Sequence, residues 1–277
     1  DQIITNQDII KESDYLKILN PKIEKLTKQQ IQKIAKNSLI KEIIKKKEIE
    51  KILDMSEDNN IINEYIKNFY TKLNFKNEAD FKNFLINSSS YTFNEIKEKI
   101  KIEIMWNELI YKKYIDQVNI NKEKLIQKIN KLNNQLRTEF KLSEIVFRKK
   151  KEINLAEQIN IIKNSINEIG FDNTANIYSI SESSKMGGDI GWISENNLSE
   201  IIYNKIKSLK KDEISDIIKI GNNYLLLKII EIRQINIPIN KEEELVKMIK
   251  FETNKQLNQF SKIFFDKAKI NYSINEK

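Results

Sequence analysis

The chain has 277 residues, of which 40% are hydrophobic and 32% charged, so it can bury a core and lacks the composition of a disordered segment. It contains no cysteine and no histidine, which excludes disulfides, thiol nucleophiles, histidine-based triads and the usual zinc sites; no metal and no cofactor are expected. The net charge of +8 raises the question of an anionic partner, but the lysines are interleaved with acids, as in KEIIKKKEIEK at 41–51, and read as solvated helix faces, so no nucleic acid is expected.

The length allows one large domain or two smaller ones. No run of 18 apolar residues occurs, so no transmembrane segment is expected. The opening DQIITNQDII lacks a basic stretch followed by an apolar one and does not read as a signal peptide.

Scarce glycine and proline predict long helices. Asn6 is placed as the N-cap of a short helix to about 19, and Pro21 sits in the break that follows. Thr27 and Gln30 form a capping-box pattern. The helix they open runs to about 53, with Ile31, Ala35, Leu39 and Ile43 along one stripe. A third helix is predicted over 59–73, carrying Ile62, Tyr65, Ile66 and Phe69, and NEADFKNFLI reads as a short fourth. Thr92 and Glu95 repeat the capping box and open a helix to about 115; another spans 122–136.

From about 137 the pattern changes. FKLSEIVF at 140–147 alternates and carries β-branched residues, which predicts a strand. NLAEQINIIKNSINEIG returns to helical spacing with Gly170 as its C-cap, and FDNTANIYS is a short helix. A glycine turn precedes a strand at 189–193, a helix at 198–209 and a strong strand at 222–233. Pro238 and Asn240 precede a last helix over 241–269, with Leu245, Met248, Phe251 and Leu257 as buried positions. All five glycines fall between 170 and 221, three of them within SSKMGGDIGW, where a turn or a close backbone approach must be accommodated.

In this order, the segments SEIVF, GFDNTANIYSIS, SSKMGGDIGWI, LKKDEIS and IGNNYLLLKIIEIR resemble the parvulin family of peptidyl-prolyl isomerases. The flanks, DQIITNQDIIKESD, the 81–110 stretch and KFETNKQLNQFSKIFFDKAKINYSI, resemble the chaperone regions of SurA-type periplasmic proteins. The resemblance implies an α+β protein: a mostly helical chaperone region at 1–136, one inserted parvulin-like domain with a four-stranded antiparallel sheet at 137–234, and a C-terminal helix at 235–277 that returns to the N-terminal helices. It also implies a periplasmic location, unfolded or outer-membrane polypeptides as partners, and a removed signal peptide and first strand ahead of the sequence.

Carried over residue by residue, the resemblance places a proline-gripping pocket on Ile190, Leu198 and Ile202, with Trp192 beside it among the substrate-binding residues. The polar centre departs from the family. Its two histidine positions hold Glu144 and Leu225, its Cys or Asp position holds Ser181, and its Ser or Thr position holds Asn222. A carboxylate beside Leu225 is expected to resist ionising or to turn to water. Ser181 and Asn222 are the remaining hydrogen-bond donors. The expectation is a SurA-like chaperone whose prolyl isomerisation is weak or lost; the alternative is an active parvulin-type isomerase acting on X–Pro bonds.

Overall fold

The computed structural model of the protein describes residues 3–55, 60–130, 137–235 and 240–273. The expected helix start at Asn59, the end of the helix predicted to 136, and the Pro238 break lie outside the described residues.

Ten helices and four strands follow one another among the described residues: α1 (Asn6–Leu19), α2 (Lys28–Glu50), α3 (Asn60–Lys72), α4 (Glu78–Ser88), α5 (Phe93–Tyr114), α6 (Lys122–Asn130), β1 (Arg137–Arg148), α7 (Leu155–Ile169), α8 (Phe171–Tyr178), β2 (Asp189–Ser194), α9 (Glu200–Ile206), β3 (Ile218–Ile220), β4 (Asn223–Ile235) and α10 (Lys241–Ile270). Short 3-10 turns lie at Pro21–Lys25 and Glu182–Met186. The protein is thus α+β and mostly helical, with one four-stranded antiparallel sheet.

The chain forms two compact units. One comprises Asp1–Ile18, Ala35–Leu125 and Val246–Lys277, and the other Leu19–Ile34 and Ile126–Leu245. In the first, Ile49, Ile102, Met105, Trp106, Leu109 and Ile110 form a buried cluster, against which Leu257, Phe264 and Phe265 of α10 pack. The Trp106 ring stacks on Phe264, and its indole N–H donates to the Ser261 hydroxyl at 2.9 Å. A second patch gathers Phe69, Tyr70, Phe75 and Phe93 around the fully buried Phe81, with Phe84 against Phe75.

The same unit buries charge. Glu12 is completely buried, and its carboxylate accepts from the Tyr91 hydroxyl at 2.9 Å and pairs with the Lys99 ammonium at 2.7 Å. Lys99 also pairs with Glu42 and lies over the Tyr15 and Tyr91 rings. Burial, then the Glu12 charge and hydrogen bond, push the Tyr91 phenol far above its usual range.

In the second unit the sheet order is β2-β1-β4-β3. Alternation along the strands divides two cores. Phe140, Leu142, Val146, Leu225, Leu227 and Ile229 face one side, with Leu198 and with Ile206 of α9. Ile145, Phe147 and Leu226 face the other, beneath Ile162 of α7 and Phe171 and Ala175 of α8. The fourth strand, β3, is only three residues long and pairs with the start of β4.

Candidate functional site

The site begins with the chain that returns along β1 after α8. The Val146 N–H donates to the Ser179 hydroxyl oxygen (3.0 Å), the Ile180 N–H to the Val146 carbonyl (2.7 Å) and the Ser181 N–H to the Ser179 hydroxyl oxygen (3.3 Å). Ser179 therefore serves two backbone donors and pins the segment beside the strand. The 3-10 turn follows and closes on itself, because the Gly188 N–H donates to the Ser183 carbonyl at 2.8 Å. The Gly188 carbonyl then accepts the Glu144 N–H, also at 2.8 Å.

This closure explains the double glycine. Gly187 has φ +68 and Gly188 φ +84, both in the region that side chains avoid. A Cβ on Gly188 would stand 2.3 Å from the Glu144 carbonyl oxygen, and one on Gly187 would stand 2.7 Å from the Asp172 Cβ. The backbone can approach β1 and α8 this closely only without side chains.

What the closure delivers is hydroxyls. Glu144 Oε1 accepts from Ser181 Oγ at 2.5 Å and from Ser183 Oγ at 2.9 Å, and the two hydroxyl oxygens are 3.1 Å apart. Two hydroxyls thus take up one oxygen of the Glu144 carboxylate. A hydroxyl carries a single proton. With the Ser181 proton given to Glu144, Ser181 presents lone pairs rather than a donor, so the centre is rich in acceptors.

Around it lies apolar surface. Leu225 is buried opposite Val146, and Leu227 is the cross-strand partner of Glu144. Leu198 is buried in the same cluster, and Ile190 and Ile202 pack half-buried against it. The structure therefore gathers Glu144, Ser181, Leu225, Ile190, Leu198 and Ile202 on one side of the sheet.

Two expected residues lie elsewhere. Trp192 pairs with Lys141, which alternates with Phe140 and Leu142 and so faces the opposite side. There its ring is covered by the Arg233 guanidinium, 4.1 Å from the ring centroid, which in turn donates to Glu139 at 2.6 and 2.8 Å. Asn222 is exposed in the turn between β3 and β4. It stands five residues along the strand from the partner of Glu144, roughly 17 Å away at the usual strand rise.

Sequence reasoning missed Ser179 and Ser183. The signal available was the alternation of Ser179, Ser181 and Ser183 at every second position. Tyr203 of α9 packs against the same apolar cluster, and burial, then the charge and hydrogen bond of Glu195, raise its phenol above the usual value.

Residues 140–231 match the family model described as "Rotamase: PPIC-type PPIASE domain". In sequence, the chain is similar to the chaperone SurA of Buchnera aphidicola (subsp. Schizaphis graminum), at 28% identity over 45% of this chain and 35% of that protein. It is similar as well to the periplasmic chaperone PpiD of the same organism, at 50% identity over 17% of this chain and 7% of that one. The chain thus spans about a third of the length of the SurA relative and far less of PpiD. Among solved structures, the peptidylprolyl isomerase PrsA from Bacillus anthracis matches at 18% identity over 86% of this chain and 98% of that one, with a TM-score of 0.34.

Proposed function

We propose, for a chain whose residues 140–231 form a PPIC-type rotamase domain, that it works as a SurA-like periplasmic chaperone that holds unfolded polypeptides and isomerises X–Pro bonds weakly or not at all. The domain is taken as an insertion at 137–234 between a helical region at 1–136 and a last helix at 235–277. Sequence similarity to SurA and PpiD, both chaperones by name, supports the holding role and the periplasmic setting. Outer-membrane proteins as clients follow from that resemblance. Among the described residues no helix is long and apolar enough to cross a membrane.

The observation that carries the loss of isomerisation is the commitment of the Ser181 proton to Glu144. Rotation about a peptide bond faces a barrier of about 18–20 kcal/mol. A catalyst must bind the twisted amide more tightly than either planar form, and each tenfold gain in rate requires about 1.4 kcal/mol. In an acceptor-rich centre with Leu225 in a histidine position, neither Ser181 nor Leu225 is left to donate to a substrate carbonyl. The apolar wall of Ile190, Leu198 and Ile202 is kept, and it suits a proline ring in a bound segment. Acceptors beside that wall favour segments with an N–H donor or a cationic side chain next to the proline.

The test is exchange NMR of cis/trans rates in short X–Pro peptides at several protein concentrations. Line broadening of the peptide without faster exchange is the expected result. Acceleration that scales with protein concentration and disappears in Ile190→Trp would overturn the proposal in favour of a working isomerase.

A further inference from the structure

The turn that delivers Ser181 and Ser183 is held from behind by two buried amides. Asn176, on α8, donates from Nδ2 to the Ser184 carbonyl at 2.5 Å. Its Oδ1 accepts from Nδ2 of Asn20 at 2.7 Å, across 156 residues of sequence. Asn20 is 6% exposed, Asn176 9% and Ser184 6%, so water cannot readily replace these partners. The Ser184 carbonyl also accepts the Gly187 N–H at 3.1 Å, which places it in the closure that brings Gly188 to Glu144.

Asn20 is itself fixed. Its Oδ1 caps the Pro21–Lys25 turn by accepting the Lys22 N–H at 3.2 Å. That turn rests on α8 through the Asn173 side chain, which donates to the Lys22 carbonyl at 2.9 Å, and through a Lys22–Asp172 ion pair. Both ends of the Asn20 amide are thus used, one on its own turn and one on Asn176. An amide held at both ends cannot rotate without leaving a buried group unpaired.

We propose that Asn20 and Asn176 are positioning residues for the candidate site: Asn20 orients Asn176, Asn176 fixes the Ser184 carbonyl, and that carbonyl sets where the neighbouring Ser183 hydroxyl meets Glu144. This rests on reading the Glu144–Ser181–Ser183 centre as the one that meets bound peptide. A segment early in the chain then acts, through α8, on a centre formed by residues 144–183.

The experiment uses the full chain. Asn20→Asp keeps the oxygen that caps the Lys22 N–H but turns a second oxygen toward Asn176 Oδ1. Asn176→Asp keeps the acceptor for Asn20 but turns an oxygen toward the Ser184 carbonyl. Lys25→Ala, at an exposed position of the same turn, is the control. Amide NMR shifts of Ser181, Ser183 and Gly188 are recorded without ligand, and an Ala-Phe-Pro-Phe peptide is then titrated in. Both Asp variants are expected to shift all three amides and to weaken the peptide on the order of tenfold, with helix content by circular dichroism retained; Lys25→Ala should change neither readout. A folded Asn20→Asp protein whose three amides stay in place would overturn the relay, even if the peptide binds. If Asn20→Asp does not fold, Asn20→Ser, which keeps a capping oxygen, carries the same comparison. A wild-type chain that ignores the peptide would sink the reading of the centre, while the amide shifts would still decide the relay.

Discussion

Gly188 is where the sequence is least free to vary. Its backbone accepts the Glu144 N–H and donates to the Ser183 carbonyl, and a Cβ would fall 2.3 Å from the Glu144 carbonyl oxygen. A side chain must either move β1 or break the closure, and it carries the strain of φ +84 as well. Gly188→Ala is therefore expected to cost about 3 kcal/mol, read from urea unfolding, and to remove the Ser183 hydroxyl from Glu144. The need for glycine here was legible in SSKMGGDIGW, because a chain so poor in glycine places two side by side only under backbone constraint. The partners were not legible. That one glycine answers to Glu144 and the other to Asp172 depends on how the turn folds back, as does the pairing of Ser183 with a strand residue 39 positions earlier. Trp192 shows the same limit: its place next to Gly191 was visible, but the sheet face it takes is set by register.

Helices were legible wherever local chemistry decides. The Thr27–Gln30 and Thr92–Glu95 capping boxes both form, with reciprocal hydrogen bonds between side chain and backbone. At α1 the cap is Thr5 rather than the expected Asn6, since Thr5 and Asp8 exchange the same pair of bonds and Asn6 is already helical. On α2 the expected stripe of Ile31, Ala35, Leu39 and Ile43 holds for its first two members and then drifts off the buried face. Four-residue steps overshoot a 3.6-residue turn, so burial moves to Ser38, Lys45 and Ile49. The partner of a helix is a different matter. Nothing local in α5 indicates that Trp106 will stack on Phe264 of α10 and donate to Ser261. Trp106→Ala should cost about 4 kcal/mol in chemical denaturation followed by circular dichroism. Trp106→Phe, which keeps a ring against Phe264 but loses the bond to Ser261 and part of the buried ring volume, should cost about 2 kcal/mol, less than the alanine change.

The absence of histidine governs the whole molecule's response to pH. No side chain has an ordinary pKa between the carboxylates and the tyrosines, so folding stability should be level from about pH 6 to about pH 9. Below that window the lowered carboxylates act. Asp8 is held down by the backbone and hydroxyl of Thr5. Burial pushes Glu48 and Glu95 up, but hydrogen bonds from Lys51 and Tyr272 to Glu48, and from Lys11 and Thr92 to Glu95, outweigh it and leave both lowered. A carboxyl lowered by folding adds stability above its unfolded pKa and loses it as pH falls through the folded one. Above the window the sign reverses. Lys51 is raised by its bond to Glu48, and burial first, then the neighbouring glutamates, raise Tyr91 and Tyr272. Groups raised by folding contribute fully below their unfolded pKa and lose that contribution as pH climbs through the folded value. Acid adds a further cost, because a chain already at +8 gains positive charge as its carboxylates protonate and repels itself. Thermal midpoints taken across the pH range should therefore trace a plateau with a steep acid shoulder beginning below about pH 4.5 and an alkaline one above about pH 10. A midpoint that moves by several degrees between pH 6 and pH 8 would overturn this account, because no carboxylate or phenol with an ordinary pKa titrates there.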